Sequence, residues 1–255
     1  MPNSSAGVGS HSSHGSMRTN SSTPPHHQQS SDHTRRNLSL RMNSLSTSGA
    51  SDGLQSVYDI IKDIGETMGD VTMLERLRQA VHGVGLEELG LIGRATGKTI
   101  EYMHLYEDEN VSMGIFCLPK NSRIPLHNHP GMSVVSRVLY GDLHVTSFDW
   151  NNSRAKIAAP VYNGVIHGNG GMSTHMLLPE SHGNLHQFTA LSDCAILDVL
   201  CPPYSSADGR DCTYYRVESV RPDGCVELGE FNPNTKDFRI VTVEYPGRPS
   251  SDFLS

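Results

Sequence analysis

From residue 100 onward the chain is a series of short strand-like runs broken by turn residues, and few folds can accommodate that. The runs are Ile100–Tyr106, Val111–Leu118, Ser133–Tyr140, Leu143–Trp150, Lys156–Val161, Met172–Leu178, Asn184–Ala190, Ala195–Leu200, Thr213–Val220 and Phe238–Tyr245. Turn signals such as Lys120-Asn-Ser122, Gly141-Asp142, Asn151-Asn152, Gly168-Asn-Gly-Gly171, Pro202-Pro203, Asp208-Gly209 and Asp223-Gly224 separate them. Near-even spacing with no helical pattern between the runs predicts a mainly β, antiparallel sandwich or barrel. A double-stranded β-helix, or jelly-roll barrel, fits best.

Two helices are expected ahead of the barrel. Leu54, Val57, Ile60, Ile61 and Ile64 recur at helical spacing toward Met68. Asp70 is placed to cap a second helix running through Ala80, with Met73, Leu74, Leu77 and Val81 on one face and Gly83 and Gly85 at its end. Both are expected to pack outside the β-structure. Residues 1–50 differ in kind. They hold fourteen serines and five of the fourteen histidines, with few apolar residues before Leu38. Such a stretch buries too little apolar surface to offset its ordering entropy, so a disordered Ser/His-rich tail over 1–50 and one folded domain over 51–255 are expected. A short transient helix is expected at Leu38–Leu45.

Charge divides at the same point. The tail carries Arg18, Arg35, Arg36 and Arg41 against Asp32, a net of +3, so the total of −7 leaves −10 on the body. An acidic body argues against a nucleic-acid-binding domain. No apolar stretch is long enough to span a membrane, and the N-terminus lacks the apolar segment of a secretory signal. The five cysteines, Cys117, Cys194, Cys201, Cys212 and Cys225, are odd in number and form no CxxC, which favours a reducing compartment over a disulfide scaffold. Cytoplasm and nucleus are the expected locations, and a monomer is the expected state.

The chemistry concentrates in Pro125-Leu-His-Asn-His-Pro-Gly-Met132. Strand side chains alternate, so His127 and His129 aim two imidazoles to one side. Pro130-Gly131 then turns the chain, and Met132–Tyr140 is expected to return as the second strand of a hairpin with half a metal site at its end. His186, in Gly183-Asn-Leu-His186, is the candidate third ligand. Three neutral imidazoles leave a divalent ion its full charge, which favours an anionic incoming ligand such as a thiolate. The positions left open follow the logic of non-haem iron oxygenases, although zinc, nickel or manganese would satisfy the same ligands. His144, His167, His175 and His182 are read as structural or exposed, with His182 near enough to support His186.

These segments resemble the two cupin motifs. His127-x-His129 is followed by Val134 where cupins carry a glutamate ligand, with Gly141 seven residues later, and Ala190 stands where the second motif has asparagine. The resemblance narrows on His127–Gly141, Pro179–His186, Ile196–Tyr204 and Gly209–Tyr215. These resemble the plant cysteine oxidases, relatives of cysteamine dioxygenase, over about residues 54–245. The resemblance implies a cupin barrel holding Fe(II) through His127, His129 and His186. It implies addition of both atoms of O2 to the sulfur of an N-terminal cysteine, giving the sulfinic acid. Substrates would be proteins with an N-terminal cysteine, notably hypoxia-response transcription factors marked in this way for degradation by an oxygen sensor. Asp198 matches the family's acidic residue near the iron, and Tyr204 its pocket tyrosine.

The residues alone leave more open. Asp198 is a lone carboxylate in an apolar strand. It could orient a ligand histidine, meet a substrate amine, or face solvent. Pro202-Pro203 reads as a rigid turn holding Tyr204 at the barrel mouth, with core packing as the alternative. Cys212 and Tyr214 share a strand face, and in related thiol dioxygenases such a pair can form a thioether crosslink; an uncrosslinked buried pair is the plainer reading. Competing functions are a dioxygenase of free cysteine or cysteamine and a non-catalytic metal-binding cupin module. Free cysteine would want an arginine for its carboxylate, and Arg123 and Arg137 flank the histidine segment.

Overall fold

The structure, a computed structural model, describes residues 53–64, 70–233 and 238–247. The expected disordered tail, the helix at Leu38–Leu45 and the end of the first expected helix at 65–68 lie outside the described residues.

Helix α1 (Gly53–Ile64) buries Leu54, Val57, Tyr58, Ile61 and Ile64, the stripe that its sequence spacing dictates. Helix α2 (Val71–Gly83) buries Leu74, Leu77 and Val81, and the Asp70 carboxylate accepts from the Thr72 N–H at 2.9 Å as its N-cap. The two helices meet closely. A Cβ at Gly53 would stand 2.8 Å from the Gly83 carbonyl oxygen.

Twelve strands follow among the described residues: β1 (Ile100–Glu107), β2 (Ser112–Leu118), β3 (Arg123–Asn128), β4 (Ser133–Tyr140), β5 (Asp142–Asn152), β6 (Ile157–His167), β7 (Thr174–Leu177), β8 (Leu185–Ala190), β9 (Cys194–Cys201), β10 (Tyr215–Val220), β11 (Val226–Glu230) and β12 (Ile240–Val243). They form two six-stranded sheets, ordered β12-β1-β2-β9-β4-β7 and β10-β11-β6-β5-β8-β3. All pairs are antiparallel except β1 with β12. This is the expected double-stranded β-helix.

Alternation along the strands sorts the core. Val138 and Ile196 of the first sheet meet Leu143, Val145 and Phe188 of the second between the sheets. Their neighbours Val135, Leu139, Leu197 and Val199 face outward, under the apolar stripes of α1 and α2. The helices therefore cover the outer face of the first sheet, as expected.

Three expectations are corrected. The segment around Pro130-Gly131 is not a hairpin turn: β3 pairs with β8 in one sheet, and β4 pairs with β7 and β9 in the other. The turn carries the chain across the barrel, because a double-stranded β-helix alternates its sheets. Strand β6 runs six residues past Val161, held to β5 by pairs from Ala158↔Trp150 to His167↔Asp142 that override the local turn signals at Asn163-Gly164. Strand β11 was not expected, because its two glutamates and a glycine mask its pattern; it pairs with β10 across the Asp223-Gly224 turn.

Arg137 is committed to the fold. From β4 its Nη1 donates to the carbonyls of Val81 at 3.0 Å and Val84 at 2.6 Å, closing the C-terminal end of α2. Replacing Arg137 with Met keeps the apolar stem and removes both bonds. The expected cost is about 1.5–3 kcal/mol, read as a lower urea midpoint; an unchanged midpoint would show that the cap contributes nothing.

Candidate metal centre

Strand pairing assembles the centre. His127 on β3 lies opposite His186 on β8, across a ladder whose register shifts between Ile124 and His127. His129 follows directly after β3. The three ring centroids lie 4.7–5.0 Å apart, and their ligand nitrogens all fall within 4.8 Å of one another. Nε2 of His129 and Nε2 of His186 are 3.2 Å apart. A metal bonded to each at about 2.0–2.1 Å would separate adjacent nitrogens by roughly 3 Å.

The protein fixes which nitrogen faces inward. His127 Nδ1–H donates to the Pro125 carbonyl at 2.8 Å, which leaves its Nε2 with a free lone pair. The Tyr204 hydroxyl donates to the Asn128 carbonyl at 2.8 Å, so its oxygen accepts from His129 Nδ1–H at 2.9 Å. That sets the same tautomer at His129. His186 stacks on Phe188, with centroids 4.3 Å apart. Burial holds all three imidazoles neutral: His127 is lowered to about 4, and His129 and His186 fall well below 6.5 through burial and then through mutual repulsion. His127 and His129 thus turn Nε2 lone pairs inward, and His186 brings its Nε2 to 3.2 Å from that of His129, an arrangement that suits a cation. The donor set therefore fits a divalent metal, and Val134, buried on β4 where a glutamate ligand would stand, adds no charge.

Supporting contacts come from residues that the sequence does not single out. Asn184 donates from Nδ2 to the carbonyls of His129 and Leu178, at 2.8 and 2.9 Å, and accepts from the His129 N–H. Asp149 accepts from the Gly183 and Asn184 N–H groups. Asn128 Oδ1 accepts from the Thr213 N–H at 2.9 Å and brings the 212–214 segment beside β3. The Gly183-Asn184 dipeptide signals a turn, and nothing in it signals these bonds.

A chamber of about 340 Å³ opens on His127 and His129, lined also by Tyr102, Asp198, Tyr204, Cys212 and Tyr214. Asp198, Tyr204, Cys212 and Tyr214, the further sequence candidates, thus all reach it. Tyr204 follows a cis Cys201–Pro202 peptide. The Cys212 thiol is free, and it interacts with the hydroxyls of both Tyr204 and Tyr214. Asp198 is 7% exposed, and burial raises its carboxyl to about 6. Ser136 lies opposite it on β4 and favours the charged form, but among the described residues Asp198 Oδ1 has no hydrogen-bond partner. No Arg or Lys lines the chamber among the described residues. Arg137 caps α2, and Arg123 lines a separate cavity with Arg216 and Gln187.

The remaining histidines are dispersed, with one exception. His167 pairs with Asp142 at the surface, and His182 is exposed beside Ser181. His175, on β7, lies close enough to disfavour protonation of His186, and neither of its ring nitrogens has a partner among the described residues. His175, Ser136 and Asp198 stand side by side across β7, β4 and β9. This row of unsatisfied polar groups has no sequence signature, since its members come from three distant strands.

Two outcomes follow. Tyr204→Phe keeps the ring and removes the bond that orients His129, so metal affinity is expected to fall about tenfold in a chelator competition; unchanged affinity would exclude that role. The second concerns the metal-free protein. Burial holds His127 and His175 at about 4 when folded, below the ordinary 6.5, so unfolding takes up protons. Their stabilising contribution is fully present above 6.5 and is lost as pH falls toward 4. Asp198, raised to about 6, acts in the opposite sense over that window but is one group against four imidazoles. Urea midpoints are expected to drop between pH 7 and pH 5, and a flat profile would contradict buried neutral histidines.

The PCO_ADO family model matches residues 74–248. Plant cysteine oxidase 2 of Arabidopsis thaliana is 33% identical over 225 residues, covering 76% of this chain and 82% of that protein. Plant cysteine oxidase 1 of the same organism is 36% identical over 160 residues, covering 56% of this chain and 54% of that protein, so the match spans about half its length. The 2-aminoethanethiol dioxygenase of Homo sapiens is 37% identical over 182 residues, covering 58% and 67%. Among solved structures, a cupin superfamily protein from Desulfitobacterium hafniense matches with a TM-score of 0.35 and 11% identity, covering 46% of this chain and 89% of that one. The chain belongs to the PCO_ADO family, that of the plant cysteine oxidases and 2-aminoethanethiol dioxygenases.

Proposed function

We propose that the protein is an Fe(II)-dependent thiol dioxygenase that converts the N-terminal cysteine of target proteins to cysteine sulfinic acid. The net reaction adds both atoms of O2 to sulfur. The sulfur gives up four electrons, dioxygen takes up four, and no other reductant is needed. Iron, when bound by His127, His129 and His186, supplies the site at which thiolate and dioxygen are brought to react.

The observation that carries this reading is the charge of the chamber. It holds one carboxylate, Asp198, with an oxygen lacking a partner, and no Arg or Lys among the described residues. A substrate with an ammonium group and no nearby carboxylate suits it: the Asp198 carboxylate would meet the ammonium. An N-terminal cysteine has that chemistry, because its carboxyl is an amide. Free cysteine fits less well, since its carboxylate would face Asp198 with no Arg or Lys among the described residues to receive it. Tyr204 holds His129 in the ligating tautomer, and the apolar walls formed by Phe116, Phe188, Leu200 and Ile240 keep water from the reacting sulfur.

Cysteamine shares the ammonium and lacks the carboxylate, and relatives from Mus musculus and Homo sapiens carry the name 2-aminoethanethiol dioxygenase. Oxidation of that small thiol is therefore the second reading. Under the first, the protein acts as a monomeric oxygen sensor of the hypoxia response in cytoplasm and nucleus, marking transcription factors for degradation. Its five free cysteines are compatible with those reducing compartments.

The test is anaerobic Fe(II) loading, exposure to air with a Cys-initiated peptide, cysteamine or free cysteine, and mass spectrometry. Two oxygen atoms gained on the peptide's cysteine, with Asp198→Asn raising its KM about tenfold or more, is the expected result. Oxidation of cysteamine alone would move the assignment to the second reading. Efficient oxidation of free cysteine would contradict the charge argument.

A further inference from the structure

The barrel is not closed all round. Strand β7 ends its sheet, with β4 as its only partner among the described residues. Strand β6 pairs with β11 only at Ile157 and Ala158, so among the described residues its far edge carries no strand from Ala159 to His167. Between these two edges lies a cleft of about 610 Å³, joined at one end by the loop at 168–173 and reaching His186 at the other. The histidine triad stands between two cavities: His127 and His129 face the small chamber, and His186 lines the cleft.

The cleft differs from the chamber in character. Its walls expose mostly apolar surface, including Val145, Ile166 and Leu177, with His167, His175 and His182 among them, and no carboxylate lines it among the described residues. Val161, Tyr162, Val165 and Met172, at 46, 43, 36 and 88% exposure, form its rim. Apolar groups left in water beside open backbone edges are what an extended peptide needs, with main-chain partners along a strand and pockets for alternate side chains. Sheet edges of this kind are otherwise an aggregation hazard that proteins cover.

We infer that this cleft receives the residues following the N-terminal cysteine of a protein substrate, as an extended segment with apolar side chains laid along the open edge of β6. The inference rests on the function proposed above and adds the surface that makes a protein, rather than a small thiol, the substrate. The ammonium sits at Asp198 and the sulfur at the triad. The row Asp198, Ser136, His175 runs from the chamber across β9, β4 and β7 toward the cleft, which also takes in His175. The chain leaves along that row, and its next side chains enter between Val161, Val165 and Met176. Small aminothiols fill only the chamber.

The test uses Val161→Arg and Val165→Arg, rim positions exposed enough to tolerate the change, with folding checked by circular dichroism and metal content. Two readouts are needed: steady-state oxidation of a Cys-initiated peptide and of cysteamine, and anisotropy of a labelled Ser-initiated peptide, which binds without reacting. The expected result is a peptide KM raised at least about tenfold relative to that for cysteamine, with matching loss of Ser-peptide binding. Shortening the peptide to two residues should reproduce the defect in the wild type. Oxidation of the peptide by the wild type, with both variants keeping the wild-type peptide KM and Ser-peptide binding, would overturn this inference and leave the proposed function standing. Wild-type oxidation of cysteamine with no peptide turnover and no Ser-peptide binding would overturn both.

Discussion

The β3–β8 pair is the constraint on which the site depends. It sets His127 opposite His186, residues far apart in sequence, and delivers His129 from the end of the same strand. A one-residue slip in that register would turn His186 to the other face of the sheet and replace it with a neighbour that is not a ligand. The register is therefore held from several sides. Phe188 is buried in the interior core, Leu185 packs with Leu126, Phe148 and Tyr215 on the opposite face, and β5 pairs with β8 from Phe148↔Leu185 to Leu143↔Ala190. Asn184 ties the start of β8 to the backbone of His129. Packing and hydrogen bonding thus serve one end, which is to bring three imidazoles to one point.

Holding them there runs against ordinary solvation. Neutral imidazoles buried together with their Nε2 atoms facing lose water and find little but one another in exchange. Opposite them, Asp198, Ser136 and His175 carry further unsatisfied atoms across three adjacent strands. A folded core tolerates few such groups, and a cluster of them around one cavity is the mark of a site completed by other molecules. The surrounding apolar layers compensate. Two helices seal the outer face of the first sheet, and Arg137 fastens α2 to β4 directly behind that row.

Much of this was legible in the sequence. The ten runs gave the strands because half-buried strands alternate, and His-x-His with Gly-x-x-His pointed to the three histidines that converge because both motifs are local. Asp198 stood out as a carboxylate in an apolar strand. What stayed hidden is non-local. Nothing near Pro130-Gly131 says that the chain changes sheets there, since the same turn residues close a hairpin. Strand β6 outlasts its own turn signals because β5 holds it, and β11 exists only because β10 and β6 pair with it. Asn184 reads as a turn residue, Asn128 as the residue between two histidines, and His175 as a histidine near a glycine-rich loop, because their partners lie elsewhere in the chain. The resemblance to the plant cysteine oxidases supplied the chamber roles of Asp198 and Tyr204; the bond from Tyr204 to His129 gives one of them a physical basis.

The central claim is that three histidines and no carboxylate hold one metal ion. Its most direct test is iron content after anaerobic loading with Fe(II) and desalting, in the wild type and in His127→Ala and His186→Ala, with folding checked in each. The account predicts about one iron per chain in the wild type and near-complete loss in either variant, as ligands converging on one ion require. Full iron retention in a folded His186→Ala protein would contradict it, because the ion would then be held by residues other than these three.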